Sequence, residues 1–95
     1  MPLNHQQVIH IEPTATDLKI RFRIDGQLQE VMTSSMSAHP AITTRIKIMS
    51  GMDIAEKRVP QDGRVETTVD GMDVDLRVSL LPTVYGEKIV IRVLG

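Results

Sequence analysis

The sequence predicts an α+β domain: a mostly antiparallel sheet with one main helix packed on it, in the order β-β-β-α-β-β-β. Three observations predict it. Apolar and polar residues alternate with period two on both sides of a central stretch, as in "LKIRFRID" and "KIVIRVL". The central stretch, "SSMSAHPAITTRIKIMSGM", changes to a helical period. Two Asp-Gly pairs, Asp25-Gly26 and Asp70-Gly71, stand between alternating segments, where they favour two-residue hairpin turns.

Taken in order, residues 1–8 are a polar segment, frayed or the remnant of a helix, and residues 9–95 form a single domain. Ile9 and Ile11 alternate with His10 and Glu12 until Pro13 ends a short strand. In the second strand Leu18, Ile20, Phe22 and Ile24 share one face, and Lys19, Arg21, Arg23 and Asp25 take the other. "QLQEVM" returns as its partner. The helix has Pro40 in its first turn with Ser37 or His39 near the cap. Ile42, Ile46 and Met49 form its apolar stripe, and Gly51 is its C′ residue. After the charged connection "DIAEKRVPQDGR", three strands follow: "RVETTV", "MDVDLRVSLL" and "KIVIRVL".

A chain of 95 residues supports one modest core. Phe22 and Tyr85 are its only aromatics, so the core is aliphatic, with Met32, Met36, Met49, Met52 and Met72 as filling. The same scarcity removes the stacking platform on which single-stranded nucleic acid is held. A net charge of −1 supplies no global field for DNA or anionic lipid, so nucleic acid is not an expected partner. No Cys is present, which excludes disulfides and thiolate metal sites and suits a reducing compartment. No apolar run has the length of a signal peptide or a bilayer span, and the expected location is cytoplasmic.

The register of the last three strands carries the functional argument. A two-residue turn at Asp70-Gly71 sets Val69 opposite Met72, Thr67 opposite Val74 and Val65 opposite Leu76, an apolar face. On the reverse face Arg64 falls opposite Arg77. A loop symmetric about Val84-Tyr85 sets Leu76, Val78 and Leu80 against Val93, Ile91 and Ile89, and Arg77 against Arg92. Arg64, Arg77 and Arg92 then form one row with Cβ atoms about 5 Å apart, a repulsive arrangement unless an anion shares it. That anion is either internal, from Glu66, Asp73 and Asp75 on the same face, or an external phosphate held by guanidinium forks.

"RFRIDG", "RIKIMSGMDIAEKRVPQDGR" and "VDLRVSLLPTVYGEKIVIRVL" together resemble the second N-terminal domain of the secretion-ATPase family, the GspE/PilB-type motors of type II secretion and type IV pilus assembly. The likeness runs from Ile9 to the C-terminus. It implies a PAS-like, non-catalytic regulatory domain ahead of a RecA-like catalytic domain, with ATP and Mg²⁺ bound in the longer protein and no cofactor in this domain alone. It further implies that Arg77 and Arg92 contact the ATP phosphates, with Arg64, Arg58, Glu56 and Lys57 supporting that interface. The implied partners are the protein's own C-terminal ATPase domain, neighbouring protomers of a hexamer, and inner-membrane platform or machinery proteins. The implied location is cytoplasmic, peripheral to the inner membrane. The chain has no GxxxxGK[ST] loop and no acidic metal-binding partner after it, so nothing in it cradles β- and γ-phosphates. Gln7-Val8 also replaces the Ser-Asp that commonly precedes "IHIEP" in the family.

Two other classes compete. A pure interaction module would use Lys19, Arg21, Arg23 and "AEKR" for protein contacts without touching nucleotide. A free-standing ligand sensor is disfavoured by the aromatic-poor core. His5, His10 and His39 are too scattered for a metal site, and Asp73 and Asp75 lack an accompanying nucleophile.

Overall fold

A computed structural model describes residues 7–94. Its strands are β1 (Gln7–Pro13), β2 (Leu18–Ile24), β3 (Gln27–Ser34), β4 (Gln61–Val69), β5 (Met72–Thr83) and β6 (Gly86–Leu94). A 3₁₀ turn over Met36–Ala38 leads into the helix α1 (His39–Ser50), between β3 and β4. This is the expected α+β architecture. The sheet order is β3-β2-β1-β6-β5-β4, and all five pairings are antiparallel. Two three-stranded meanders are therefore joined along β1 and β6, and α1 crosses one face between the two edges of the sheet. β1 opens at Gln7, two residues ahead of the Ile9 boundary; the rest of the N-terminal segment lies outside the described residues.

Turn chemistry sets the register. Asp25 and Gly26 have φ of 53° and 81°, and Asp70 and Gly71 have 51° and 77°, so both Asp-Gly pairs supply the two positive-φ positions of a tight hairpin turn. The β5–β6 link is shorter than "PTVYGE" suggests. Thr83 pairs with Gly86, so only Val84 and Tyr85 lie in the turn. Between Phe22 and Arg23 the β2–β3 register slips: Phe22 faces Glu30 and Arg23 faces Leu28, leaving Gln29 as the bulged residue.

The core lies between the sheet and α1. Ile11, Leu18, Val78, Leu80 and Ile89 are buried, with Ile9, Ile20, Ile42, Ile46, Met52, Val65 and Ile91 packed against them. Two expectations about packing fail. Met36 and Met52 join the core, but Met32 on the edge strand β3, Met72 beside the Asp70-Gly71 turn and Met49 on the outer side of α1 are exposed. Of the helix's expected stripe, Ile42 and Ile46 pack on the core, but Met49 faces solvent and the fully buried helix residues are Thr43 and Lys47.

The helix ends differ in how they are satisfied. Ser35, not Ser37 or His39, caps the entry by accepting from the Ser37 amide, while Ala38 precedes α1 with no side-chain cap. At the other end Gly51 takes φ 71°, ψ 27°, the left-handed conformation expected of it. Beyond it, a Cβ added to Gly63 would meet Ser50 Cβ at 2.6 Å, so β4 passes beneath the helix C-terminus only because residue 63 has no side chain.

Candidate functional site

The face of the sheet opposite α1 is open. On it Arg64 faces Arg77 and Arg77 faces Arg92, the row expected from hairpin register. The row then continues where local register could not reach: Arg92 pairs with Val8, and Val8 with Arg23. Neighbouring strands lie about 4.8 Å apart, so the row runs across five strands in about 20 Å.

Charge is unevenly spread over this face. β4 and β5 hold Asp62, Glu66, Asp73 and Asp75 beside Arg64 and Arg77. β1, β2 and β6 hold Lys19, Arg21, Arg23, Lys88 and Arg92 against Glu12. The acidic half neutralises its own arginines. Arg64 Nε donates to Asp75 at 3.1 Å and its Nη2 to Glu66 at 3.2 Å, while Arg77 Nη2 reaches Asp75 at 3.3 Å. Hydrogen bonds from Arg77 and then Arg64 hold the Asp75 carboxyl below the usual range. Arg64 and Arg77 nevertheless remain about half exposed, and such pairs contribute little to stability.

Arg92 is different. It is exposed and, among the described residues, makes no ion pair or side-chain hydrogen bond. Across Val8, Arg23 donates to the Gly26 carbonyl at 3.4 Å. Arg21 is paired with Glu12. Between these cations lies His10, whose pKa is lowered by burial and by the positive charge of Lys88, Arg21 and Arg23. The internal acids thus pair Arg64 and Arg77 in the row and leave Arg92 without one among the described residues.

The remaining candidates sit elsewhere. Glu56, Lys57 and Arg58 belong to the loop between α1 and β4, which folds on the helix side of the sheet. The Glu56 carboxylate is consumed locally, accepting from the Lys57 and Arg58 amides and from Arg58 Nε, and the Arg58 bonds pull its pKa down. Lys57 and Arg58 extend into solvent. The structure therefore groups Arg64, Arg77 and Arg92 and separates them from Glu56, Lys57 and Arg58.

What orders that loop was not anticipated. Gln61 clamps it: its amide nitrogen donates to the carbonyls of Asp53 (3.0 Å) and Glu56 (3.3 Å), and its amide oxygen accepts from the Asp53 amide at 2.9 Å. Beneath it Lys47 and Glu87 form a 2.8 Å ion pair with side chains 1% and 5% exposed. Lys47 Nζ also donates to the carbonyls of Glu56 (2.6 Å) and Ile54 (3.4 Å), so one ammonium ties α1, the loop and β6 together. In "QDGR", then, Gln61 holds the loop and Gly63 admits the helix. Asp62 accepts from Ser79 Oγ at 2.8 Å, and Arg64 turns to the open face.

Among the described residues, no helix is long and apolar enough to cross a membrane. Comparison with known proteins gives a consistent result. The type IV pilus assembly ATPase PilB of Myxococcus xanthus is 51% identical over 87 residues, which is 90% of this chain and 15% of that protein. The PilB of Thermus thermophilus is 55% identical over 86 residues, 90% of this chain and 10% of that protein. The type II secretion system ATPase E of Vibrio cholerae is 49% identical over 86 residues, 90% of this chain and 17% of that protein. The chain thus spans less than a fifth of the length of these relatives. The family model for type II/IV secretion system proteins matches residues 3–95, and the chain belongs to that family.

Proposed function

We propose that this chain is a regulatory domain of a secretion or pilus-assembly ATPase, and that Arg77 and Arg92 contact the phosphates of ATP held by a catalytic domain of the longer protein. The observation that carries this reading is Arg92, an exposed guanidinium with no partner among the described residues, placed opposite Arg77 on the open face. A guanidinium kept beside another without a carboxylate of its own is poised for an external oxyanion. Arg64 supports the same face, and Glu56, Lys57 and Arg58 support contacts on the helix side. The phosphates, Mg²⁺ and the P-loop belong to the catalytic domain. The arginines act by placing positive charge where charge develops, and so couple the domain's position to nucleotide occupancy. Assembly into a hexamer and attachment to inner-membrane machinery on the cytoplasmic side complete the proposal.

The test is substitution in the full-length protein. Arg92→Ala and Arg77→Ala each lower ATPase turnover by about tenfold to a hundredfold, short of the roughly 10³–10⁵ of a true arginine finger, with unchanged thermal stability of the domain. Turnover equal to the parent in both variants refutes the nucleotide contact.

A second reading, a protein-interaction module, draws on Asp75, which already engages Arg64 and Arg77. In that case Lys19, Arg21 and Arg23 meet an acidic protein surface. Arg92→Ala then weakens assembly and leaves turnover per assembled complex intact.

A further inference from the structure

On the open face His10 is surrounded by cations. Arg21 stands opposite it on β2 and Val90 on β6. Its diagonal neighbours are Lys19 and Arg23 on β2 and Lys88 and Arg92 on β6, about 7 Å away at Cβ and within reach of long side chains. The acids beside them are few. Glu12, on the same strand as His10, is paired with Arg21, and Asp17 stands 3.7 Å from Lys19. Arg23, Lys88 and Arg92 have no carboxylate partner among the described residues. Like charges gathered on one sheet face repel unless water or an added anion screens them.

His10 registers that crowding. Burial first, then the charges of Lys88, Arg21 and Arg23, hold its pKa below the ordinary 6.5, and Glu12 opposes them least strongly. At neutral pH the ring is therefore uncharged. An anion brought among the same cations reverses the field at the ring and favours the imidazolium. The effect acts through space, so it requires no contact with the buried Nδ1.

We propose that the β1–β2–β6 part of the open face is a polyphosphate site in which Arg23 and Lys88 join Arg92, and that His10 takes up a proton as the anion binds. This rests on the reading of Arg92 as a phosphate contact, and adds to it a second arm and a pH response. Three cations without carboxylates call for a multiply charged anion. Arg23 and Arg92 flank Val8 on strands about 10 Å apart, so linked phosphate groups engage both better than one group does. A nucleoside triphosphate and free polyphosphate share this chemistry, and the site reads the phosphates. Proton uptake on binding means that affinity rises as pH falls through the window between the free and the bound His10 midpoints.

The experiment is an NMR pH titration of the His10 imidazole in the chain at low salt, with and without trimetaphosphate, whose charge stays constant across the range. Trimetaphosphate gives saturable shifts at Arg23, Lys88 and Arg92 and raises the His10 midpoint by about one unit. Calorimetry finds it bound about tenfold more tightly at about pH 5 than at about pH 8, because linkage makes the midpoint shift and the affinity ratio one quantity. His10→Gln keeps the affinity of the alkaline side and loses the ratio, which titrating carboxylates would leave in place. Arg23→Gln weakens trimetaphosphate about threefold at either pH. ATP binds within about twofold of tripolyphosphate.

Shifts at Arg92 with an unmoved His10 midpoint, or the full pH ratio in His10→Gln, overturn the proton linkage. Full affinity in Arg23→Gln overturns the second arm, and ATP bound far more tightly than tripolyphosphate overturns recognition through phosphate alone. No saturable shift at Arg92 overturns the whole site. The reading beneath it falls to a different result, unchanged turnover in Arg77→Ala and Arg92→Ala.

Discussion

On the open face Arg64 and Arg77 reach Asp75 at 3.1 and 3.3 Å with half of each arginine side chain in water. Under the helix Lys47 and Glu87 meet at 2.8 Å with 1% and 5% of their side chains exposed. Both are ion pairs, but their physics differs. Water screens the first kind, so losing a partner costs little and an incoming phosphate can take its place. The second kind sits where desolvation is severe, so removing one partner strands a buried charge. Charge that can be exchanged suits binding, and charge that cannot suits architecture. The Asp75 pairs on the open face are of the first kind, and the Lys47–Glu87 pair under the helix is of the second.

The largest effect expected from this contrast is at the buried pair. Lys47→Ala or Glu87→Ala destabilises the fold by about 3–5 kcal/mol in urea unfolding, and the double variant Lys47→Met with Glu87→Leu recovers most of the loss. A cost below about 1 kcal/mol for Lys47→Ala would erase the distinction between the faces. Next comes Gly63→Ala, whose new methyl collides with Ser50. It costs about 1–3 kcal/mol by the same measurement, and a neutral result would mean that the helix C-terminus yields.

Smaller effects belong to the open face. Arg64→Ala and Arg92→Ala each leave unfolding free energy within about 0.5 kcal/mol of the parent. Asp75→Asn releases both arginines from their shared carboxylate, so it tightens binding of tripolyphosphate, read by calorimetry at low salt, by about two- to fivefold. Weaker binding in that variant would show that Asp75 orients the arginines and does not compete for them.

The smallest effect is a pH dependence. The His10 pKa is lowered from 6.5, so the unfolded chain takes up the proton first. Its stability contribution is therefore full above pH 6.5 and declines as pH falls from there toward the folded pKa. Asp75 has the acidic counterpart: its lowered pKa supports the fold above the ordinary carboxylate range and is lost as pH falls through the folded value. An NMR titration of His10 checks the first, and tripolyphosphate bound on the open face should raise its midpoint.

Much of this is legible in the sequence. Strand alternation and two Asp-Gly turns determine which side chains share a face, because a hairpin with a two-residue turn has one register. The registers of Arg64, Arg77 and Arg92 follow from this because their three strands succeed one another in the chain. Glu87 was also legible in principle. It shares parity with Ile89, Ile91 and Val93, and a carboxylate on a core face requires a cation, though the parity does not say which one.

The sequence by itself determined the order of elements, the apolar and polar faces and the local arginine row. Tertiary structure alone decided that β1 pairs with β6, which carries the row on to Val8 and Arg23. It also decided that α1 turns Thr43 and Lys47 inward, and that Lys47 meets both Glu87 and the charged loop. The reason is range. Periodicity and turn geometry act between chain neighbours, whereas the pairing of two meanders and the rotation of a helix are set by packing among residues far apart in sequence, which no local pattern records.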